Sequence, residues 1–158
     1  MRTESDNAIF AGGCFWHMGD TFEKLDGVSS VYTGYTDGHH KNPTYHEVSS
    51  GTTGHLESVE VHFDPNVISY DELLQVFWRN IDPTEGDGPF GDRRNPYQPA
   101  IFYTSNEQKE LAEASKKEME ASKRFDKPIA TKIGAATTFY KAEDEHQGYY
   151  KKKRCAIR

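Results

Sequence analysis

A cysteine set between a glycine pair and two aromatic rings, Gly12-Gly13-Cys14-Phe15-Trp16-His17, is the part of this chain best suited to covalent chemistry. An apolar run, Ala8-Ile9-Phe10-Ala11, precedes the glycines and a more polar stretch from His17 to Leu25 follows. The pattern predicts a strand, a tight corner and a helix whose first turn carries Cys14. Unpaired backbone N–H groups at a helix start favour a negative sulfur and lower the thiol pKa. Glycines at 12 and 13 permit the sharp corner, and Phe15 and Trp16 are placed to line an apolar pocket beside the sulfur. The ordinary alternative is an inert, buried cysteine among core aromatics. A second thiol, Cys155, near the opposite end of the chain weighs against it.

The segment from His55 to Asp64 alternates as a strand, which puts Glu57 on the same face as Val59, Val61 and Phe63. A carboxylate turned toward an apolar face resists ionisation because desolvation penalises its charged form, and a raised pKa suits a general acid near neutral pH. Alternatively, Glu57 ends the strand and reaches water. Cys14 and His17 have ligand-like spacing, but no second Cys-rich knuckle and no His-Glu-x-x-His element accompanies them, so a metal is not the first explanation. The glycines also lack phosphate-binding and dinucleotide patterns. A cysteine hydrolase stays open, with His17, His46, His55 and His146 available as bases. Peroxidase chemistry, with a thiolate and a resolving thiol, is closer in kind.

The elements that must position these groups fit one domain over residues 1–158, since 158 residues make one real core and two domains are improbable at this length. With 35% hydrophobic and 28% charged residues the composition is that of a soluble protein, and a net charge of −6 argues against nucleic-acid backbone binding. The first residues are polar and no apolar stretch approaches membrane-spanning length, so a cytoplasmic protein is expected. Two cysteines make no disulfide scaffold, but they can form a catalytic pair in a reducing compartment.

Residues 8–11 are expected as a strand, 14–25 as a helix carrying Phe22 and Leu25, and Val28 to Tyr35 as a second strand. Asp37 to Thr44 reads as a polar loop, with Tyr45 and His46 at the edge of ordered structure. Ser69-Tyr70-Asp71-Glu72 is a capping box for a helix from Asp71 to about Asn80 whose Leu73, Leu74, Phe77 and Trp78 form a buried stripe. Residues 82–99, with four prolines and three glycines, make a long excursion that delivers Asp92, Arg93 and Tyr97 to a strand at Ala100 to Tyr103. A polar helix capped by Ser105 runs to about Phe125, with a solvated face. In Ile129 to Tyr140, Gly134 is expected to separate two short strands, and Ala142 to about Lys153 is expected as a final helix.

Taken together, Gly13-Cys14-Phe15-Trp16, Gly34-Tyr35, Asn42-Pro43-Thr44-Tyr45, Gly54-His55 with Glu57, Asp64-Pro65 with Ile68-Ser69-Tyr70, Phe77-Trp78, Asp82-Pro83-Thr84 and Ala142-Glu143 with His146-Gln147 resemble the A-type peptide methionine sulfoxide reductases. The resemblance keeps family order over nearly the whole chain. It implies an α/β two-layer sandwich with a mixed, largely antiparallel sheet and a ferredoxin-like core. It implies reduction of methionine S-sulfoxide, free or in proteins. A monomer is expected, with no cofactor and no metal. On that resemblance Cys14 is the nucleophile, Glu57 the acid, Tyr45 and Tyr97 the hydroxyls that position the sulfoxide oxygen, and Asp92 a polar group ordering the site. Phe15 and Trp16 are the wall that receives the substrate methyl group. Cys155, on a mobile tail at 151–158 beside Lys151-Lys152-Lys153-Arg154, is the expected resolving thiol, and thioredoxin or another dithiol the reductant.

The chain also departs from the family pattern. His17-Met18-Gly19 replaces a frequent Gly-Val-Glu, Ser49 stands where many members carry a cysteine, and Arg94-Asn95-Pro96 and Gln98-Pro99 alter the surroundings of Tyr97. Lys132 occupies a usual Glu position, and the glycine-rich tail with a later cysteine is shortened, which leaves one resolving thiol in this chain. Two other function classes remain beside the reductase: a cysteine peroxidase and a noncatalytic sulfoxide-binding module.

Overall fold

The computed structural model describes residues 6–12, 15–38, 41–50, 53–81, 99–122, 129, 131–143 and 147. The side chains of Phe15, Trp16, His17 and Ser49 lie outside this description. So do residues 82–98 and 151–158.

Strand β1 (Asp6–Ala11) leads into helix α1 (Phe15–Glu23), and β2 (Val28–Thr36) into a short helix α2 (Tyr45–Ser49). Then follow β3 (Leu56–Phe63), α3 (Tyr70–Arg79), β4 (Ala100–Tyr103), α4 (Asn106–Ala121), β5 (Lys132–Ala135) and β6 (Tyr140–Lys141). The strands form one sheet in the order β5-β4-β1-β3-β2-β6. β1 lies antiparallel to β3 on one side and to β4 on the other, and β2 lies antiparallel to β3. β1 and β2 therefore run in the same direction with β3 between them, joined through α1. In the same way β3 and β4 flank β1 and are joined through α3. Two such split βαβ units make the expected ferredoxin-like core. β5 adds a parallel strand at one edge and β6 an antiparallel one at the other, which completes a mixed, largely antiparallel sheet in an α/β sandwich.

Alternation along the strands sorts the side chains into two layers. Ala8, Phe10, Tyr35, Val59, Val61, Phe63 and Ile101 pack in one buried cluster with Met18 and Phe22 of α1, Leu73, Leu74, Phe77 and Trp78 of α3, and Ala112 of α4. Phe10 stacks between Phe22 and Phe77, with ring centroids 5.1 Å and 5.2 Å away. Each such side chain contributes about 1.5–3 kcal/mol on burial. A smaller cluster of Ile9, Ala11, Leu56, Ala100 and Phe102 occupies the other face, covered by Ala136 and Phe139. Trp78 is a core residue, as its helical spacing predicts, and its indole N–H donates to Ser115 Oγ at 2.9 Å. Among the described residues no helix is long and apolar enough to cross a membrane.

Several boundaries differ from the sequence expectations for identifiable reasons. Ser69 and Ser105 cap α3 and α4, accepting from Glu72 N and Gln108 N. α4, however, closes at Ala121, where the Ser122 hydroxyl turns back onto Met119 O at 2.7 Å. Gly134 does not separate strands. It pairs with Phe102 inside β5, and the break falls at residues 136–139, where the chain crosses to cover the second cluster. Ala142 and Glu143 are not helical, because Ala142 N donates to Thr33 O and continues the docking of β6 along β2. Apart from Gln147, the rest of the expected final helix lies outside the described residues.

Candidate active site

Glu57 enters the site from β3, on the face it shares with Val59, Val61 and Phe63. It is 1% exposed, so the alternative in which it reaches water at the strand end is set aside. Directly across the ladder stands Tyr35 of β2, and antiparallel partners project from the same face of the sheet. Tyr35 is fully buried, and its hydroxyl donates to Glu143 Oε1 at 3.0 Å. Burial first, then this hydrogen bond and the charges of Glu143 and Glu57, drive the Tyr35 pKa far above its ordinary value. The phenol therefore keeps its proton and serves as a donor.

Tyr45, expected from sequence at the edge of ordered structure, is the first residue of α2. Thr44-Tyr45-His46-Glu47 is a capping box. Thr44 Oγ1 accepts from Glu47 N at 3.2 Å and Glu47 Oε1 accepts from Thr44 N at 3.0 Å. Val48, fully buried, pins this short helix to the main core, against which Tyr45 also packs. The second oxygen of Glu143 accepts from Tyr45 N at 3.1 Å. Glu57, Glu143 and Tyr45 thus all act electrostatically on the Tyr35 phenol.

Gly12 follows β1 directly. Phe10 pairs with Val59 and Ala11 with Ser58, so β1 ends beside the residue that follows Glu57 in β3. Gly12 serves here by size. A Cβ at this position would lie 2.5 Å from both Ile81 Cγ2 and Met18 Cε, and its φ is not in the left-handed region that the expected corner would use. Cys14 follows two residues later in the sequence and lies outside the described residues, as do Asp92, Tyr97 and Cys155. Phe15 and Trp16 open α1.

His55 is occupied structurally. Its Nδ1 accepts from Gly38 N at 3.0 Å and its ring meets Tyr140 edge-on at 5.6 Å, which assigns the imidazole proton to Nε2. His46 is exposed on α2. Among the described residues no three His, Cys, Asp or Glu side chains gather as a metal ion requires.

Of the site residues expected from sequence, the structure places Glu57 and Tyr45 in one cluster and adds two not expected there, Tyr35 and Glu143. Strand alternation signalled that Tyr35 faces the core. Nothing local signalled that a carboxylate 108 residues away would meet its hydroxyl.

The chain is thus a ferredoxin-like α/β sandwich in which a buried carboxylate, Glu57, stands opposite a buried tyrosine, Tyr35. Comparison with known proteins gives the family. The sequence model of the peptide methionine sulfoxide reductases matches residues 6–157. The MsrA of Streptococcus agalactiae is 54% identical over 146 residues, covering 92% of this chain and 86% of that protein. The MsrA of Listeria monocytogenes is 52% identical over 155 residues, covering 98% and 88%. Among solved structures, Mxr1 of Saccharomyces cerevisiae in reduced form superposes with a TM-score of 0.83 at 27% identity, covering 98% of this chain and 88% of that one. The chain belongs to the A-type peptide methionine sulfoxide reductase family, and with it to the peptide-methionine (S)-S-oxide reductases.

Proposed function

We propose that this enzyme reduces methionine S-sulfoxide, free or in proteins, with Cys14 as nucleophile and Glu57 as acid. The observation that supports this reading most is the buried Glu57, opposite Tyr35 and next in β3 to Ser58, whose partner Ala11 stands three residues ahead of Cys14 in the sequence. Thiolate attack on the sulfoxide sulfur forms an S–S bond and builds negative charge on the oxygen. A protonated Glu57 donates to that oxygen, and the hydroxyls of Tyr45 and Tyr97 stabilise it with oriented O–H groups. Asp92 orders these donors, and Phe15 and Trp16 receive the substrate methyl group.

The protonated oxygen then passes to the Cys14 sulfur as the Cys14–methionine S–S bond and the sulfoxide S–O bond break, which releases methionine as the thioether and leaves Cys14 as sulfenic acid. The Cys155 thiol then attacks that sulfur. An S–S bond forms between the two cysteines, and the sulfenic oxygen leaves as water. An external dithiol such as thioredoxin reduces this disulfide and is itself oxidised. Sulfoxide and dithiol thus become thioether, disulfide and water. The whole chain acts as one catalytic unit, with residues 151–158 carrying the resolving thiol.

The test is mass spectrometry after one equivalent of S-methionine sulfoxide without reductant. The expected product is a Cys14–Cys155 bond and one methionine per enzyme, with the R-epimer left unconverted. Equal conversion of both epimers, or conversion that persists in Cys14→Ser, would overturn the assignment.

A further inference from the structure

The segment that follows β6 is clasped to β2 on both sides of Glu143. On one side, Tyr140 and Lys141 pair with Tyr35 and Gly34, and Ala142 N donates to Thr33 O at 2.9 Å. On the other, the Gln147 side chain accepts from Thr33 N at 2.9 Å and donates to Thr33 O and Ala142 O at 2.8 and 2.9 Å. Held between these clasps, the Glu143 carboxylate reaches two separate elements. Oε1 accepts from the Tyr35 hydroxyl of β2 and Oε2 from the Tyr45 N–H of α2.

The Tyr45 bond has a definite cause. The first N–H groups of a helix have no partner within it. The capping box of α2 engages the backbone of Thr44 and Glu47, and the N–H of Tyr45 takes its acceptor from outside the helix. Because Glu143 grips Tyr45 by its backbone, it fixes the point from which the Tyr45 ring extends. Since the same carboxylate holds Tyr35, which stands opposite Glu57, it also fixes the start of α2 relative to the acid.

We propose that Glu143 is a positioning residue for sulfoxide reduction. Its carboxylate ties Tyr45 to Tyr35 and thereby sets the Tyr45 hydroxyl against the same oxygen that Glu57 protonates. The inference rests on the function proposed above for Tyr45 and Glu57, and it assigns Glu143 no contact with substrate.

A double-mutant cycle tests it. Steady-state rates on S-methionine sulfoxide with dithiothreitol are measured for the wild type, Tyr45→Phe, Glu143→Ala and the double variant. A small misplacement of a transition-state donor costs heavily in rate, so Glu143→Ala is expected to lower kcat about tenfold with KM changed by less than about twofold. In the Tyr45→Phe background the same change is expected to cost less than about twofold, because the two residues act as one unit. Glu143→Gln keeps an acceptor for Tyr45 N and turns its amide N–H toward the Tyr35 oxygen, so it is expected to restore kcat to within about threefold. Equal losses from Glu143→Ala in both backgrounds, or a loss confined to KM or to the thermal midpoint, would overturn the inference alone. Full activity of Tyr45→Phe would instead overturn the role proposed for Tyr45, and this inference with it. Should Glu143→Ala fail to fold, Glu143→Asp, too short to span both partners, takes its place in the same cycle.

Discussion

Tyr70 shows how a single hydroxyl affects stability and pH dependence. It opens α3, stacks on Phe10 at 6.1 Å and is 7% exposed, and its buried hydroxyl has no hydrogen-bond partner among the described residues. Removing an unsatisfied polar group of unchanged shape costs little, so Tyr70→Phe is expected to leave stability at neutral pH unchanged or raise it by about 1 kcal/mol. Burial and then the charge of Asp6 raise the Tyr70 pKa far above its unfolded value, as burial and Glu143 do for Tyr35. The folded state therefore holds each proton more tightly than the unfolded chain. That stability is complete below about pH 10 and declines as pH rises toward the folded pKa, by up to about 1.4 kcal/mol per pH unit for each tyrosine. Urea midpoints measured across this alkaline range should fall less steeply in Tyr70→Phe, and parallel curves for the two proteins would refute the assignment. Glu57→Gln tests the acid at the same scale. It keeps the shape and one N–H donor but transfers no proton, and is expected to lower single-turnover kcat about a hundredfold without loss of fold. A variant within twofold of wild type would remove Glu57 from the chemistry.

At the scale of elements, β1 to β4 were legible as short runs rich in apolar and β-branched residues bounded by turn signals. β4 runs from Ala100 to Tyr103 as expected, and α3 keeps the stripe of Leu73, Leu74, Phe77 and Trp78. The buried face of Glu57 was legible from its alternation with Val59, Val61 and Phe63 along β3. α2 was not, because five residues give no helical period and the Thr44–Glu47 capping box was its only local sign. The expected final helix does not begin at Ala142, although Ala142 and Glu143 are good helix formers. The Ala142 N–H is claimed instead by Thr33 of β2, a partner more than a hundred residues away. Two predictions belong here. Thr44→Ala removes the acceptor for Glu47 N and is expected to cost about 1 kcal/mol, read as a lowered urea midpoint. Gly34→Ala places a methyl group against Tyr140 O and the Phe139 ring, where backbone blocks relief, and is expected to cost about 1–3 kcal/mol. If Gly34→Ala melts at the wild-type temperature, the close approach of β6 to β2 is not as the structure has it.

Across the whole molecule, the two split βαβ units bring distant parts of the chain to one end of the sheet. β1 ends beside β3 just before Gly12, β2 delivers Tyr35 opposite Glu57, and the segment after β6 brings Glu143 to Tyr35 and Tyr45. The described cluster therefore depends on long-range register: Tyr35, Tyr45, Glu57 and Glu143 lie far apart in the sequence, and local pattern gave no sign of which of them meet. The proposed recycling adds Cys155 to these groups. Cys155 stands beside Lys151, Lys152, Lys153 and Arg154, whose positive charges favour a thiolate. Ser49 replaces the cysteine that many family members carry, so Cys155 is the only second thiol in this sequence. Cys155→Ser is accordingly expected to release one methionine per enzyme in a single turnover at the wild-type rate and then stop as a sulfenic acid. Its thioredoxin-driven steady-state rate is expected to fall by at least about tenfold, since direct reduction of a sulfenic acid by an outside thiol replaces an intramolecular step. Trapping with a sulfenic-acid reagent distinguishes the stalled state from the disulfide of the wild type. Undiminished cycling with thioredoxin in Cys155→Ser would show that the outside thiol reaches Cys14 unaided and that the tail takes no part in the reaction.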